Sequence, residues 1–397
     1  MPNQLSILYL VSLLMDMSVA GVIFAISRRA AELGASASEL GWLGAAWIGL
    51  YSLLVLVTGR VSDRIGRRLL AFSGCIIAAF MALACSLTTR IGLLLVYSAI
   101  FGGGVACFWP PIIAWLGEGL AGHALAVRLT TFGVAWNIGL IVGYSLCGVL
   151  FKHGPALAFH ASTGSILLVA LLLLLPARQA SGAATVSSQP DTAREVPSGR
   201  GFRKTAWLAN FATNFALAGT AALFPQLATH LGIGADIHGG LLAAGRAAAL
   251  VTFAALQFLL FWRTRLWPLW VAQLCCAASI TWIGFAHATW MFAAAWIIGG
   301  AVSGYTYQAS IYFTLEEMIE KGKGSGWHEA ILGSGMFFGP LLAGWAGSRY
   351  GLRVPYFFCA VTQTLLVALQ IMVVWTQRRI TAMAWSSAPA FHSPRSQ

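Results

Sequence analysis

Twelve apolar stretches of about twenty residues each divide this chain into pieces that no water-soluble fold can use. They fall at 5–26, 39–58, 69–87, 91–116, 128–151, 156–175, 204–229, 237–262, 266–286, 289–315, 327–349 and 355–375. A bilayer core about 30 Å thick takes roughly 20 apolar residues per helical crossing. A helix also satisfies its own backbone groups, as any segment exposed to lipid must. Hydrophobic residues make up 58% of the 397 and charged residues 9%, more apolar surface than a soluble chain of this length could hide. The spacing predicts twelve spans.

Between spans 6 and 7 the composition changes. Residues 176–203 are rich in Ser, Ala, Gln, Pro and charge, without apolar period, and are expected to form a linker. The expected organisation is an N-terminal six-helix bundle (1–175), the linker (176–203), a C-terminal six-helix bundle (204–376) and a polar tail (377–397). The net charge of +12 would suggest nucleic acid in a soluble protein. Here the basic residues sit at the ends of spans, where they orient a membrane protein instead. With both ends inside, 17 of the 24 Lys and Arg fall on the cytoplasmic side and 6 outside, with Arg246 left within a span. The first span has no basic region before it and no small-residue cleavage site after it, so a retained helix is expected. All seven cysteines lie in apolar stretches without metal-ligand spacing and are expected to be buried thiols.

The halves resemble each other. Gly139-x-x-x-Gly143 in span 5 matches Gly335-x-x-x-Gly339 in span 11 at an offset of 196, and Glu118 matches Glu316 at 198. Glycines at this spacing are helix-packing devices. Six-plus-six repeats joined by a polar linker form the plan of a rocking transporter.

The most charged stretch lies between spans 2 and 3: Gly59-Arg60-Val61-Ser62-Asp63-Arg64-Ile65-Gly66-Arg67-Arg68. Its two glycines are expected to allow a tight turn around the acid. It resembles the loop between helices 2 and 3 of the major facilitator superfamily, Gly-x-x-x-Asp-Arg-x-Gly-Arg-Arg/Lys, at Gly59, Asp63, Arg64, Gly66, Arg67 and Arg68. The resemblance implies an all-α integral membrane fold: twelve transmembrane helices in two six-helix pseudo-symmetric bundles. Helices 1, 4, 7 and 10 would line a central cavity, and helices 2, 5, 8 and 11 would form the interface between halves. It also implies a conformational gate. Asp63 would dock at the cytoplasmic start of helix 11 when the cavity opens outward, because a helix N-terminus stabilises a carboxylate. His328-Glu329, at the predicted start of span 11, reads as a proton relay or as part of that gate, and the gate is the favoured role for Glu329. Two departures weigh against drug export. The arginine usual in helix 4 is absent (Ser98 or Ala99 stands there), and in span 5 Gly143 is followed by Tyr144, the Gly-Pro step appearing instead in span 11 at Gly339-Pro340.

An ionisable group in mid-membrane costs roughly 2.5–3.5 kcal/mol on insertion scales and marks function by default. Asp16, eleven residues into span 1 with Ser12 one turn earlier, would carry a coupling proton or bind a cationic group; the alternative is a structural acid. Arg246, in mid-span 8 with Gln257 predicted on the same face, would dock an anion, because guanidinium stays charged and offers a donor fork. The alternative is a fixed ion pair across the halves, with Asp16 as its partner. Lesser candidates are Trp109 beside Pro110 and Pro111, Asn137 beside Trp136, Asn214 one turn from Asn210, and the stripe Tyr305, Gln308, Tyr312.

The expected function is secondary active transport of a small organic solute, anionic or zwitterionic, by alternating access with proton coupling. The partners are that solute, protons and the lipid bilayer, with no nucleic acid and no cofactor. The expected setting is a multi-pass monomer in the inner membrane with both termini cytoplasmic. Drug/proton antiport is the alternative, and a transporter-fold sensor the alternative of another class. An enzyme is not expected, since the chain has no Gly-x-x-x-x-Gly-Lys-Ser/Thr and no His-Glu-x-x-His.

Overall fold

The computed structural model describes residues 4–118, 122–175, 202–318 and 321–386, so linker positions 176–201 and the end of the expected tail lie outside the described residues. The first six helices are α1 (Gln4–Glu32), α2 (Ala37–Ile65), α3 (Arg67–Leu87), α4 (Ile91–Leu116), α5 (Gly122–His153) and α6 (Pro155–Leu174). The second six are α7 (Phe202–His230), α8 (Ala235–Ala255), α9 (Trp267–Phe285), α10 (Thr289–Glu317), α11 (Lys321–Tyr350) and α12 (Val354–Ser386). They form two pseudo-symmetric six-helix bundles. Among the described residues, ten helices are long and apolar enough to cross a membrane. The other two, α7 and α10, are diluted by residues such as Asn210, Asn214 and Gln226 in one and Tyr305, Tyr307 and Gln308 in the other. Large apolar side chains including Leu56, Phe80, Leu87 and Phe258 are exposed on the outer surface, which suits lipid rather than water.

Several helices run past their predicted ends. Helix α1 continues through Arg28, which is buried and pairs with Glu32 one turn on at 3.1 Å. Helix α2 starts on a Ser36–Glu39 capping box, worth about 1 kcal/mol. It continues through Gly59 and Asp63, so the expected loop shrinks to Gly66 alone. Gly66 has φ 98°, a left-handed conformation that needs glycine, whereas Gly59 is an ordinary helical residue and makes no turn. Helix α11 begins at Lys321 rather than at Trp327, despite three glycines. Gly324 is buried against Thr314 and Met318, so packing overrides weak propensity. Glu329 therefore sits eight residues into α11, about 12 Å along its axis. Helix α8 stops earlier than predicted, at Ala255. The chain then bends so that Trp262 is buried and donates to the Leu256 carbonyl at 3.2 Å. Gln257 consequently lies in an exposed turn, off the face of Arg246. Of the cysteines, Cys275 is exposed and Cys107 half-buried, while the other five are buried.

The repeat is visible atom by atom. A Cβ on Gly139 or Gly143 of α5 would strike the carbonyls of Leu13 and Met17 on α1. One on Gly335 or Gly339 of α11 would strike those of Phe211 and Phe215 on α7, positions 198 beyond Leu13 and Met17. Such crossings bring backbones into contact, and close packing is what holds helices together in lipid.

The halves join through the same device. At the end carrying the α1–α2 and α7–α8 turns, Gly344 of α11 lies against Ala37 and Gly41 of α2, and Gly148 of α5 lies against Ala235 and Gly239 of α8. Polar pairs close both crossings: the Ser38 amide donates to Ser348 Oγ at 2.8 Å, and Lys152 Nζ donates to Asp236 Oδ2 at 2.7 Å. Beside the second crossing His238 is buried against the rings of Phe24 and Phe224, where the repeat-related position holds Leu40.

This end tests readily. In a Cys275→Ser background, Ser38→Cys with Ser348→Cys should form a disulfide under mild oxidation. Adding Gly344→Leu, whose Cβ would stand 2.6 Å from the Ala37 oxygen, should lower the yield several-fold. An unchanged yield would show that the crossing does not need the glycine.

Candidate functional site

The turn at Gly66 is anchored within the first bundle. Arg67 donates to the Ala114 carbonyl at 3.3 Å and pairs with Glu118 at 3.2 Å, fastening the turn to the end of α4. Arg68 donates to the carbonyls of Leu173 and Leu175, fastening it to the end of α6. Asp63 is exposed and faces Arg67 at 3.9 Å. Among the described residues it makes no ion pair or hydrogen bond with α11. Arg64 is exposed.

A second charged group lies between the bundles. Asp16 on α1 is 3% exposed, and its Oδ2 has no hydrogen-bond partner among the described residues. Its position is set from both sides, since the glycines of α5 press on the carbonyls of Leu13 and Met17 that flank it. Ser12 does not hold it, because that hydroxyl donates to the Leu8 carbonyl of its own helix at 2.7 Å. Arg246 on α8, half-buried, is close enough for its charge to act on Asp16. Within 4.0 Å, however, it has no ion pair among the described residues. The two groups stand within electrostatic reach of each other across the bundles without closing to ion-pair distance.

The third charged group is Glu329. Gly333, one turn on from it, lies against Ser52 of α2, and this brings Tyr51 within electrostatic reach of both Glu329 and Asp16. From α10 the Tyr307 hydroxyl comes within hydrogen-bonding reach of the Glu329 carboxylate. The side chain of Glu329 is 62% exposed, whereas His328 beside it is fully buried. His328 Nδ1 is 2.8 Å from Ser310 Oγ, and the ring meets Tyr307 edge-on at 4.8 Å. Among the described residues its Nε2 lacks a hydrogen-bond partner, and it lies 3.8 Å from Glu329 Oε1. Two carboxylates and one guanidinium thus share a site built by α1, α2, α8, α10 and α11.

The remaining predicted residues are placed elsewhere. Tyr305 and Tyr312 pack on Trp262, at 6.0 and 5.1 Å, and Arg263 lies over the Tyr312 ring at 5.0 Å. The expected stripe on α10 is therefore split. Its tyrosines serve an aromatic cluster, and Tyr307 is the one that reaches the charged site. Gln308 is half-buried. Trp109 is buried against Phe108 and Phe132. Asn137 donates to the Gly133 carbonyl at 2.8 Å, and Asn214 donates to the backbone carbonyl and Oδ1 of Asn210, both at 2.9 Å. Tyr51, Tyr307 and Ser310 were missed. The 198 offset pairs Tyr307 with Trp109, which is the signal that could have found it.

A family model described as Major Facilitator Superfamily matches residues 8–319. The 4-hydroxybenzoate transporter PcaK of Acinetobacter baylyi (strain ATCC 33305 / BD413 / ADP1) is 22% identical over 153 residues, 38% of this chain and 33% of that protein. The multidrug transporter protein MdtP of Bacillus subtilis (strain 168) is 23% identical over 134 residues, 34% of this chain and 24% of that protein. These matches thus span a third or less of each relative's length. The crystal structure of nucleoside transporter NupG superimposes with TM-score 0.72 at 12% identity, covering 94% of this chain and 99% of that one; the likeness is one of fold.

If Asp16 and Arg246 stabilise each other across the bundles, their effects on thermal unfolding will not add. A double-mutant cycle on Asp16→Asn and Arg246→Met should return a coupling of about 0.5–3 kcal/mol. A coupling near zero would show that the two charges stand independently.

Proposed function

Because the chain belongs to the Major Facilitator Superfamily, we propose that it is a secondary transporter moving a small organic acid or zwitterion across the inner membrane by alternating access, coupled to protons. It works as a monomer with both ends in the cytoplasm, the arrangement that the Lys/Arg bias favours.

The observation that carries this reading is Arg246. A guanidinium keeps its charge when buried and binds carboxylates through two parallel donors. Here it stands between the bundles, within electrostatic reach of Asp16 and, among the described residues, joined to no carboxylate within 4.0 Å. An incoming carboxylate would complete its coordination. The 4-hydroxybenzoate relative supports an aromatic acid. The multidrug relative supports transport of drugs, of which cationic ones would be drawn to the acids instead. Arg246 favours the first.

In the alternating cycle the crossings at Gly41–Gly344 and Gly148–Gly239 open while the opposite end closes. Asp63 then leaves Arg67 and docks at the start of α11, where free backbone amides and the helix dipole stabilise its charge.

Two measurements test this. A ligand of the folded state raises the melting temperature with the logarithm of its concentration over its dissociation constant. The detergent-purified protein should be stabilised by 4-hydroxybenzoate or a related carboxylate, with the shift abolished in Arg246→Ala and partly restored in Arg246→Lys. Stabilisation by tetraphenylphosphonium alone, lost in Asp16→Asn, would replace acid transport with drug export. Asp63→Asn should slow turnover while leaving solute binding unchanged, and unchanged turnover would remove its docking role.

A further inference from the structure

We propose that Glu329 is a proton-binding site of this protein, taking up and releasing a proton in step with the solute, while Asp16 remains the counter-charge of Arg246. The inference rests on the transport reading above and assigns its coupling ion to one side chain.

Three observations converge on Glu329. Its side chain is 62% exposed in the space between the bundles, as a group that exchanges protons must be, whereas Asp16 is 3% exposed. It has no Lys or Arg partner within 4.0 Å among the described residues, so no fixed cation commits it to the ionised form. Independently, the fully buried His328 presents an unpartnered Nε2 to it at 3.8 Å.

The titratable groups around it come from each neighbouring element: Tyr51 from α2, Tyr307 from α10 and His328 from α11 itself. Beyond Tyr51, the charged pair is Asp16 on α1 and Arg246 on α8. This set can follow both protonation states without charging the imidazole. With Glu329 ionised, Ser310 O–H donates to His328 Nδ1, and Nε2–H and the Tyr307 hydroxyl point at the carboxylate. When Glu329 takes a proton from cleft water, the imidazole adopts its other tautomer. Nδ1–H then donates to Ser310 Oγ, and the bare Nε2 accepts from the new carboxylic O–H. A serine hydroxyl serves equally as donor or acceptor, and rotation of the exposed Glu329 side chain closes the 3.8 Å gap.

The charge count supplies the coupling. With Asp16 ionised as the counter-charge of Arg246, an ionised Glu329 leaves the site one negative charge in excess, and a protonated one leaves it neutral. An anion on Arg246 is repelled in the first case and accepted in the second. Linkage makes the effect mutual, each ligand favouring the other by the same factor. Proton and organic anion therefore load together and move in the same direction.

Proton binding can be read without knowing the solute. Infrared difference spectra of the full chain in liposomes, taken between about pH 5.5 and 8.5, cover a range in which carboxylates of ordinary acidity, titrating near about 4, stay ionised and only one shifted by its surroundings changes state. A carboxylic C=O band should grow at the lower pH, vanish in Glu329→Gln and persist in Asp16→Asn. As a guard against a variant that fails to fold, the protein can carry ¹³C-carboxyl glutamate. The band should then be isotope-shifted in the native sequence and return to its unlabelled position in Glu329→Asp. A band that survives Glu329→Gln, disappears in Asp16→Asn or ignores the glutamate label would overturn the assignment. Because no solute is present, these results stand apart from the fate of the acid-transport reading.

Discussion

Contact between a glycine and a neighbouring carbonyl holds this molecule together. Lipid offers no hydrophobic drive for one helix to leave another's surroundings, so association depends on close packing and satisfied polar groups. Glycines on α5 and α11 let α1 and α7 approach until backbone meets backbone, and Gly41, Gly148, Gly239 and Gly344 do the same between the bundles. At these positions any side chain would displace a main chain rather than a flexible side chain. The tightest contacts within each bundle and those between the bundles are thus of one kind. They differ in what surrounds them: buried helix faces in the first case, exposed or partly exposed polar closures such as Ser38–Ser348 and Lys152–Asp236 in the second. An exposed ion pair contributes only about 0–1 kcal/mol. The joint between the bundles is therefore well fitted but weakly latched, which is what a reversible opening requires.

Where the halves agree they pack, and where they differ they carry charge. The 198 offset sets Asp16 against Asn214, Tyr51 against Ala249, Ile48 against Arg246 and Trp109 against Tyr307; the 196 offset sets Gly133 against Glu329. Every member of the charged site thus stands at a position that the other half fills with a different chemistry. Two equivalent bundles would offer a solute two equivalent half-sites, whereas this substitution pattern leaves one arginine and two acids in a single asymmetric cleft.

Much of the fold was legible because bilayer thickness converts apolar length directly into helix count, and because four-residue glycine spacing marks a crossing whatever helix it meets. Helix ends were harder to place. Residues such as Ser27, Arg28 and the 59–65 stretch leave the apolar run yet remain helical, held by contacts like Arg28–Glu32 and stopped only by the φ of Gly66. The site was half legible. Asp16 and Arg246 stand out in sequence because charge in a span is costly, but their mutual distance belongs to the packing of α1 against the second bundle. Sequence puts Glu329 at a helix start, since Gly322, Gly324 and Gly326 argue against helix there, whereas α11 begins about two turns earlier, at Lys321, and places it inside the helix. Tyr51 and Tyr307 gave no signal of their own, because an aromatic residue in a span is usually packing, as Tyr305 and Tyr312 prove to be.

On this reading proton and organic anion share one cleft and cross together. This is tested most directly by reconstituting the purified protein in liposomes and following radiolabelled 4-hydroxybenzoate under an imposed pH gradient, without nucleotide and against protein-free vesicles. The anion should accumulate above the protein-free level toward the alkaline compartment, insensitive to an imposed membrane potential because a monoanion and a proton carry no net charge. Uptake no greater than in protein-free vesicles, or uptake driven by potential and indifferent to the pH gradient, would contradict it.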